Sequence, residues 1–136
     1  DHRALDITVT PAVTDFLNRH GAITTIINCA AYNDVDRAER QPSAAMALNC
    51  EAPADLAREA VRRGLKLVSY STDFVFDGTK QAPYREDDPA RPLSVYGNSK
   101  YQGEKAVLAA DSNALIIRTS WVFGVGNTNF NKAVIR

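Results

Sequence analysis

Two cysteines, Cys29 and Cys50, are all that the sequence offers for a disulfide. Neither sits in a C-x-x-C or His-spaced pattern, which argues against a disulfide scaffold and a cysteine-based metal knuckle. Both read as buried thiols of a reducing compartment. A charge excess is also missing, because 16 Lys and Arg balance 16 Asp and Glu. That argues against a general binder of nucleic acid or another polyanion, and no basic run is written to compensate. No apolar run is long enough to cross a membrane, so no membrane partner is expected. Residues Asp1 to Asp6 are followed by no apolar core of a signal peptide. Position 1 is not methionine, which fits a trimmed or processed chain. No cluster of ligands at metal-site spacing is present, so no metal site is expected from the residues themselves.

What is there is ordinary globular material. Apolar residues make up 45% of the 136 positions at zero net charge, which excludes a disordered chain. The length suffices for one modest core. No repeat, low-complexity tract or flexible linker divides it.

The pattern alternates between short apolar runs and helical periods. Thr10-Pro11 opens a helix, Thr as cap and Pro at the first position, with Val13, Phe16 and Leu17 on one face and Gly21 as stop. Ile23 to Asn28 reads as a buried strand, followed by a loop from Cys29 to Val35. A short helix is predicted over Pro42 to Asn49. A second, marked by Ala52, Leu56, Ala57, Ala60 and Val61, ends at Gly64. Leu65 to Tyr70 is the next strand. Phe74 to Pro92, with Asp77-Gly78 and three prolines, is turn and loop. Val95 to Ala110 is a long helix that carries some cost at Gly97 and Gly103. Leu115 to Arg118 is a third strand. A Gly124 to Gly126 turn then precedes a last apolar segment, Phe130 to Ile135. Strand, helix, strand, helix, strand with apolar strands implies a parallel α/β sheet. Three such strands leave unpaired edges, so further strands are expected.

Open α/β sheets bind ligands beyond the carboxyl ends of their strands. Three polar clusters fall there: Asn28 to Asp34, Ser71-Thr72-Asp73, and Thr119-Ser120-Trp121. Singly, each reads as a capped helix start or a satisfied loop; together they point to a site. Tyr96 and Lys100, four apart, share one helix face. An ammonium near a phenol favours the phenolate. Such a tyrosine can give a proton to a carbonyl oxygen as hydride reaches the carbon. Thr72 is the candidate for a hydroxyl holding the same oxygen. Asn49 reads as a residue that holds backbone groups together. Glu51 with Arg58, Arg62 and Arg63 reads as solvated helix surface.

Several segments carry a resemblance. They are Ile26-Ile27-Asn28-Cys29-Ala30-Ala31-Tyr32, Val35-Asp36-Arg37-Ala38-Glu39, and Ser71-Thr72-Asp73-Phe74-Val75-Phe76-Asp77-Gly78. With them go Pro83-Tyr84-Arg85-Glu86-Asp87-Asp88, Pro92-Leu93-Ser94-Val95-Tyr96-Gly97-Asn98-Ser99-Lys100, and Arg118-Thr119-Ser120-Trp121-Val122-Phe123-Gly124. In this order the chain resembles the extended short-chain dehydrogenase/reductase superfamily and, within it, the dTDP-4-dehydrorhamnose reductase family. The resemblance implies an α/β fold with a Rossmann-like doubly wound parallel sheet. It also implies that residues 1–136 are the central and C-terminal half of an NAD(P)-binding domain. No G-x-G-x-x-G turn is present, so the first strands, and most of the substrate domain, would lie outside this fragment.

By resemblance, Thr72, Tyr96 and Lys100 form the catalytic trio, Tyr96 as the acid and Lys100 lowering its pKa and holding the nicotinamide ribose. Ala30, Ala31 and Tyr32 would line the cofactor, with Asp6 and Ile7 near its adenine. Thr72, Asp73 and Trp121 would border the sugar, and Val35 would reach the nicotinamide or sugar side. Trp121 has core packing as its plainer reading, and Asp6-Ile7 a loop before a helix. Phe74 replaces the family's usual Tyr, losing one hydroxyl. Related dehydratases place Glu there, so Phe74 disfavours water elimination and leaves carbonyl reduction.

The implied function is NAD(P)H-dependent reduction of a nucleotide-linked 4-keto-6-deoxy sugar, dTDP-4-dehydro-L-rhamnose to dTDP-L-rhamnose, in the cytoplasm. NADP(H) is preferred over NAD(H) as cofactor. Magnesium enters by family alone. A homodimer is the implied assembly, and the fragment by itself is expected to be inactive. Two other readings stay open. One is a non-catalytic regulatory subunit like that of methionine adenosyltransferase. The other is a different nucleotide-sugar reductase or epimerase.

Overall fold

A computed structural model describes residues 5–122. The Gly124 to Gly126 turn and the segment Phe130 to Ile135 lie outside the described residues. The strands are β1 (Thr25–Asn28), β2 (Lys66–Thr72) and β3 (Leu115–Thr119). They form one parallel sheet in the order β1-β2-β3, with Ile27 opposite Val68 and Val68 opposite Leu115. Helix α1 (Thr10–Arg19) precedes β1. The β1–β2 crossover carries α2 (Val35–Arg40), α3 (Pro42–Met46) and α4 (Ala52–Arg63), and α5 (Val95–Ala110) lies between β2 and β3. This is the predicted α/β alternation.

Helices α4 and α5 pack on each other and both pack on β2, so they share one face of the sheet. Alternation along the strands sends Ile26, Leu67 and Ile116 to that face. There they pack with Val13, Leu17, Leu56, Ala57, Ala60 and Val107 in the core. The opposite face exposes Ile27, Tyr70 and Leu115.

Several sequence expectations change in detail. Thr10 is the first helical residue rather than the cap, since Val9 holds that position without a side-chain bond. The Thr10 hydroxyl instead donates to Asp55 of α4. Nearby, Glu59 of α4 is buried and accepts from Thr14, Arg62 and Arg63, tying α1 to α4. Arg63, only 20% exposed, is therefore part of a packed contact rather than solvated surface. The cysteines are free, but Cys29 is exposed and Cys50 half-buried, so neither is a core thiol.

Helix α2 had no sequence signal because it buries only Ala38, too little to write a periodic face. It is started by Asp34, whose carboxylate accepts from Arg37 N at 2.9 Å. The two helices read from Pro42 to Gly64 are one rod, joined by a π-helical turn over Ala47–Glu51. Such turns insert one residue and cluster at functional sites. Strand β2 runs two residues past Tyr70, so Ser71 and Thr72 pair with Arg118 and Thr119.

Candidate active site

Strand β2 delivers Thr72 to the carboxyl edge of the sheet. Its hydroxyl oxygen accepts from Phe74 N at 3.2 Å, capping a 3-10 turn over Asp73–Val75. That turn redirects the chain and leaves Asp73 exposed. Helix α5 starts with two devices. Ser94 Oγ accepts from Gly97 N at 3.0 Å, and Glu39 of α2 accepts from Val95 N at 2.8 Å. Both supply acceptors to N–H groups that have no partner inside the helix.

The glycines predicted to weaken α5 are required by close approach. A Cβ on Gly97 would lie 2.3 Å from the Phe74 carbonyl oxygen, and one on Gly103 would lie 2.0 Å from that of Asn49. Side-chain-free positions let α5 sit directly on the 3-10 turn and on the π turn. Tyr96 is thereby brought beside Thr72, whose hydroxyl acts on its phenol while donating to Asp73 Oδ1 at 3.2 Å. Phe74 meets the Tyr96 ring edge-on at 5.6 Å.

Burial pushes the Tyr96 phenol above its ordinary value; the Thr72 hydroxyl opposes this and the Asp73 charge adds to it. Lys100 is pulled the other way, below an ordinary lysine, because burial disfavours its charge more than Glu104 supports it. Its ammonium donates to the Tyr70 carbonyl at 2.7 Å. The expected lowering of the Tyr96 pKa by Lys100 is therefore not what this arrangement gives. Desolvation governs the phenol, and the ammonium is engaged by backbone.

The loop after β1 is fixed to α5 by Asn49. Its side chain accepts from Tyr32 N at 2.8 Å and donates to Tyr32 O at 3.0 Å and to Ser99 Oγ at 2.9 Å. Ser99 in turn donates to Tyr96 O at 2.8 Å. Asn49 thus holds backbone groups together, as read from the sequence. The π turn is what aims it inward. Ala30 and Ala31 lie along this loop, Ala30 donating to Asn28 Oδ1 at 3.1 Å. The amide Nδ2 of Asn28 is buried without a hydrogen-bond partner.

The other predicted residues are spread along the edge. Ile7 and Ala30 line one cleft of about 280 Å³ beside β1, while Ile7 also packs on the core. Asp6 accepts from Thr8 N at 2.9 Å in the turn before α1. Val35 is the half-buried first residue of α2. Asp73 lines a second cavity, of about 640 Å³, with Tyr84, Arg118 and Ser120 beside β3. Trp121 is 66% exposed, so the core reading fails for it, and its φ of 51° is unusual outside glycine. Sequence reasoning passed over Ser99, Glu39 and the buried pair Glu104–Arg118. For Glu104 a signal was available, because it continues the four-residue spacing of Tyr96 and Lys100.

A parallel sheet with a hydroxyl at a strand end, facing a Tyr-x-x-x-Lys pair on the next helix, defines a Rossmann-like domain of the short-chain dehydrogenase/reductase kind. More narrowly, the chain belongs to the RmlD substrate binding domain family, whose model matches residues 1–136. It is 44% identical over 133 residues to a dTDP-4-dehydrorhamnose reductase of Streptomyces griseus, covering 97% of this chain and 43% of that one. The structure of such a reductase from Bacillus anthracis in complex with NADP superimposes with a TM-score of 0.93 at 37% identity. That match covers 99% of this chain and 48% of the other. An ortholog from Clostridium acetobutylicum gives 0.92 at 41% identity, covering 98% and 47%. The chain spans less than half the length of these relatives.

Proposed function

We propose that this chain is the catalytic-helix portion of an NAD(P)H-dependent reductase. Its substrate is a nucleotide-linked 4-keto-6-deoxy sugar, dTDP-4-dehydro-L-rhamnose, reduced to dTDP-L-rhamnose. Residues 1–136 are then the central and C-terminal half of a Rossmann-like NAD(P)-binding domain. The observation that carries the reading is the placement of Thr72 at the end of β2 beside the Tyr96 phenol, with Lys100 one turn further along the same helix face. The relatives' names give the substrate class.

The residues at the β1 edge fit a dinucleotide. Ala30 and Ala31 present backbone with little side-chain bulk, and Asn28 Nδ2 is a buried donor without an acceptor. Ala30, Ala31 and Tyr32 would hold the cofactor, with Lys100 at its ribose and Asp6 and Ile7 toward its adenine. NADP(H) is preferred, in line with the Bacillus anthracis relative solved with NADP. When bound, reduced nicotinamide supplies a hydride to the sugar carbonyl carbon.

This chain's own groups handle the proton. A phenol raised above its ordinary pKa holds its proton at neutral pH, as an acid for carbonyl reduction must. Thr72 lies beside the phenol, and its one hydroxyl hydrogen, donated to Asp73 Oδ1 at 3.2 Å, would turn to the same carbonyl oxygen. When Tyr96 gives up its proton, Lys100 supplies the nearest positive charge on α5 for the phenolate. Asp73 and Trp121 would border the sugar, and Val35 would reach the nicotinamide or sugar side. Among the described residues no group of three or more His, Cys, Asp or Glu is placed to hold a metal ion, and none is assigned to magnesium. None of the described helices is long and apolar enough to cross a membrane. We place the protein in the cytoplasm as a homodimer. We expect turnover of the longer protein rather than of these residues alone, which span less than half the length of the relatives.

The test is Tyr96→Phe in the intact protein, following NADPH oxidation with the dTDP-keto sugar. Turnover is expected to fall by about 10²-fold or more with cofactor binding retained. Near-normal turnover would sink the assignment.

A further inference from the structure

Helix α5 meets strand β2 in three steps of four residues. Thr72 lies beside Tyr96, the Tyr70 carbonyl accepts from Lys100 at 2.7 Å, and Ser71 Oγ donates to Glu104. Tyr96, Lys100 and Glu104 form one stripe of the helix, and three consecutive strand residues answer it. The first two steps belong to the proposed chemistry; the third has no part in it so far.

Glu104 is unusual for a carboxylate, with a side chain only 7% exposed. Arg118 of β3 holds both its oxygens, at 2.9 and 2.7 Å. Arg118 also donates to Glu86 O at 3.1 Å and lies 5.0 Å over the Phe76 ring. Burying an ion pair is no simple gain in stability, because desolvation offsets much of the attraction. A carboxylate fastened this thoroughly, one turn from a buried lysine, has an electrostatic use.

We propose that Glu104 is a positioning residue for Lys100: locked by Arg118 and Ser71, it is the buried counter-charge that keeps the ammonium in place for Tyr96. The inference rests on the reductase reading of Tyr96 and Lys100. Burial works against the charge of Lys100 and Glu104 works for it. The other groups around Lys100 do not replace it. Asn49 on the π turn and Ser69 and Ser71 on β2 are neutral, as is the protonated Tyr96. Asp73 acts on Tyr96, and Arg118 is bound to Glu104 itself.

The experiment is the pH profile of kcat for the intact protein carrying Glu104→Gln. Without its counter-charge Lys100 releases its proton at lower pH, so the alkaline limb moves toward acid. A shift of about one pH unit corresponds to tenfold in the proton equilibrium. The deficit against the native protein then shrinks as the pH is lowered. A merely structural lesion lowers turnover by one factor at every pH. Because Glu104→Gln leaves Arg118 unpaired, the companion is Glu104→Gln with Arg118→Gln, which removes both buried charges and keeps amide hydrogen bonds. An acidward shift in the same direction but smaller is expected there, because the Arg118 charge that opposes the Lys100 ammonium is removed with Glu104. A pH-independent loss in both, or no loss, overturns the proposal. Tyr96→Phe measured alongside separates the two readings. If it is inactive while the Glu104 variants show no shift, only the role of Glu104 fails. If it turns over normally, the reductase reading fails first.

Discussion

Replacing Gly103 by alanine puts a methyl group where the backbone of the π turn already is. Its Cβ would stand 2.0 Å from Asn49 O, 3.1 Å from Asn49 C and 3.3 Å from Cys50 Cα. All three atoms are backbone, so no side chain can swing aside, and either α5 or the π turn must retreat. Helix propensity pulls the other way, since alanine in a helix interior gains about 1 kcal/mol over glycine. Overpacking a tight contact costs about 1–3 kcal/mol, occasionally more. At a contact this short the steric cost is expected at the upper end, leaving a net destabilisation of about 2 kcal/mol. The displacement does not stop at packing. Asn49 holds both Tyr32 and Ser99, and Ser99 holds the backbone of Tyr96, so the site loses alignment as the interface opens. Urea unfolding of the intact protein measures the stability, with NADPH oxidation measured on the same sample. Gly21→Ala is the control, because nothing lies within 4 Å of a Cβ there. Native stability and turnover for Gly103→Ala would falsify the close-approach account of α5.

Asn49→Ala leaves Tyr32 N and O without their side-chain partner. It is expected to cost about 1–3 kcal/mol and to weaken cofactor binding, read as a raised Kd for NADPH by fluorescence titration. Ser94→Ala removes a cap of α5 and should cost about 1 kcal/mol in urea unfolding; an unchanged midpoint would remove that cap from the account. Glu59 gives a pH prediction. Burial raises its pKa, but hydrogen bonds from Arg62, Arg63 and Thr14 outweigh this and hold the carboxyl below its ordinary value. Its contribution is then present above the unfolded value of about 4.3 and is lost as the pH falls through the folded one. Glu59→Gln should be less stable at neutral pH and lose less on acidification, and parallel stability curves for the two proteins would contradict this.

Local signals carried the fold class and the Tyr96–Lys100 pair of the candidate site. The apolar runs of β1 to β3 and the Ala and Leu period of α4 need only neighbouring residues to be read. Tyr96 and Lys100 are legible for the same reason, since a four-residue spacing on a helix is a local fact. Thr72 was legible because strand ends in parallel sheets are where sites lie. What stayed hidden depends on meetings across the chain. The Thr10 hydroxyl looks like a cap until Asp55, 45 residues away, competes for it. Cys29 follows an apolar run, yet it falls just past the strand end and is exposed.

The glycines show why the division falls there. On propensity, Gly97 and Gly103 are flaws in α5, and the penalty read from sequence is real within the helix. Each flaw is the trace of a contact that sequence does not show, one with the turn after Thr72 and one with the turn that carries Asn49. These two turns bring α5 to the strand end and to the β1 loop. A helix with alanine at both places would be a better isolated helix, but it would hold Tyr96 farther from Thr72. A local cost inside an otherwise consistent element is therefore informative in itself: it marks where tertiary packing overrides propensity, and here one glycine adjoins Tyr96 and the two together flank Lys100.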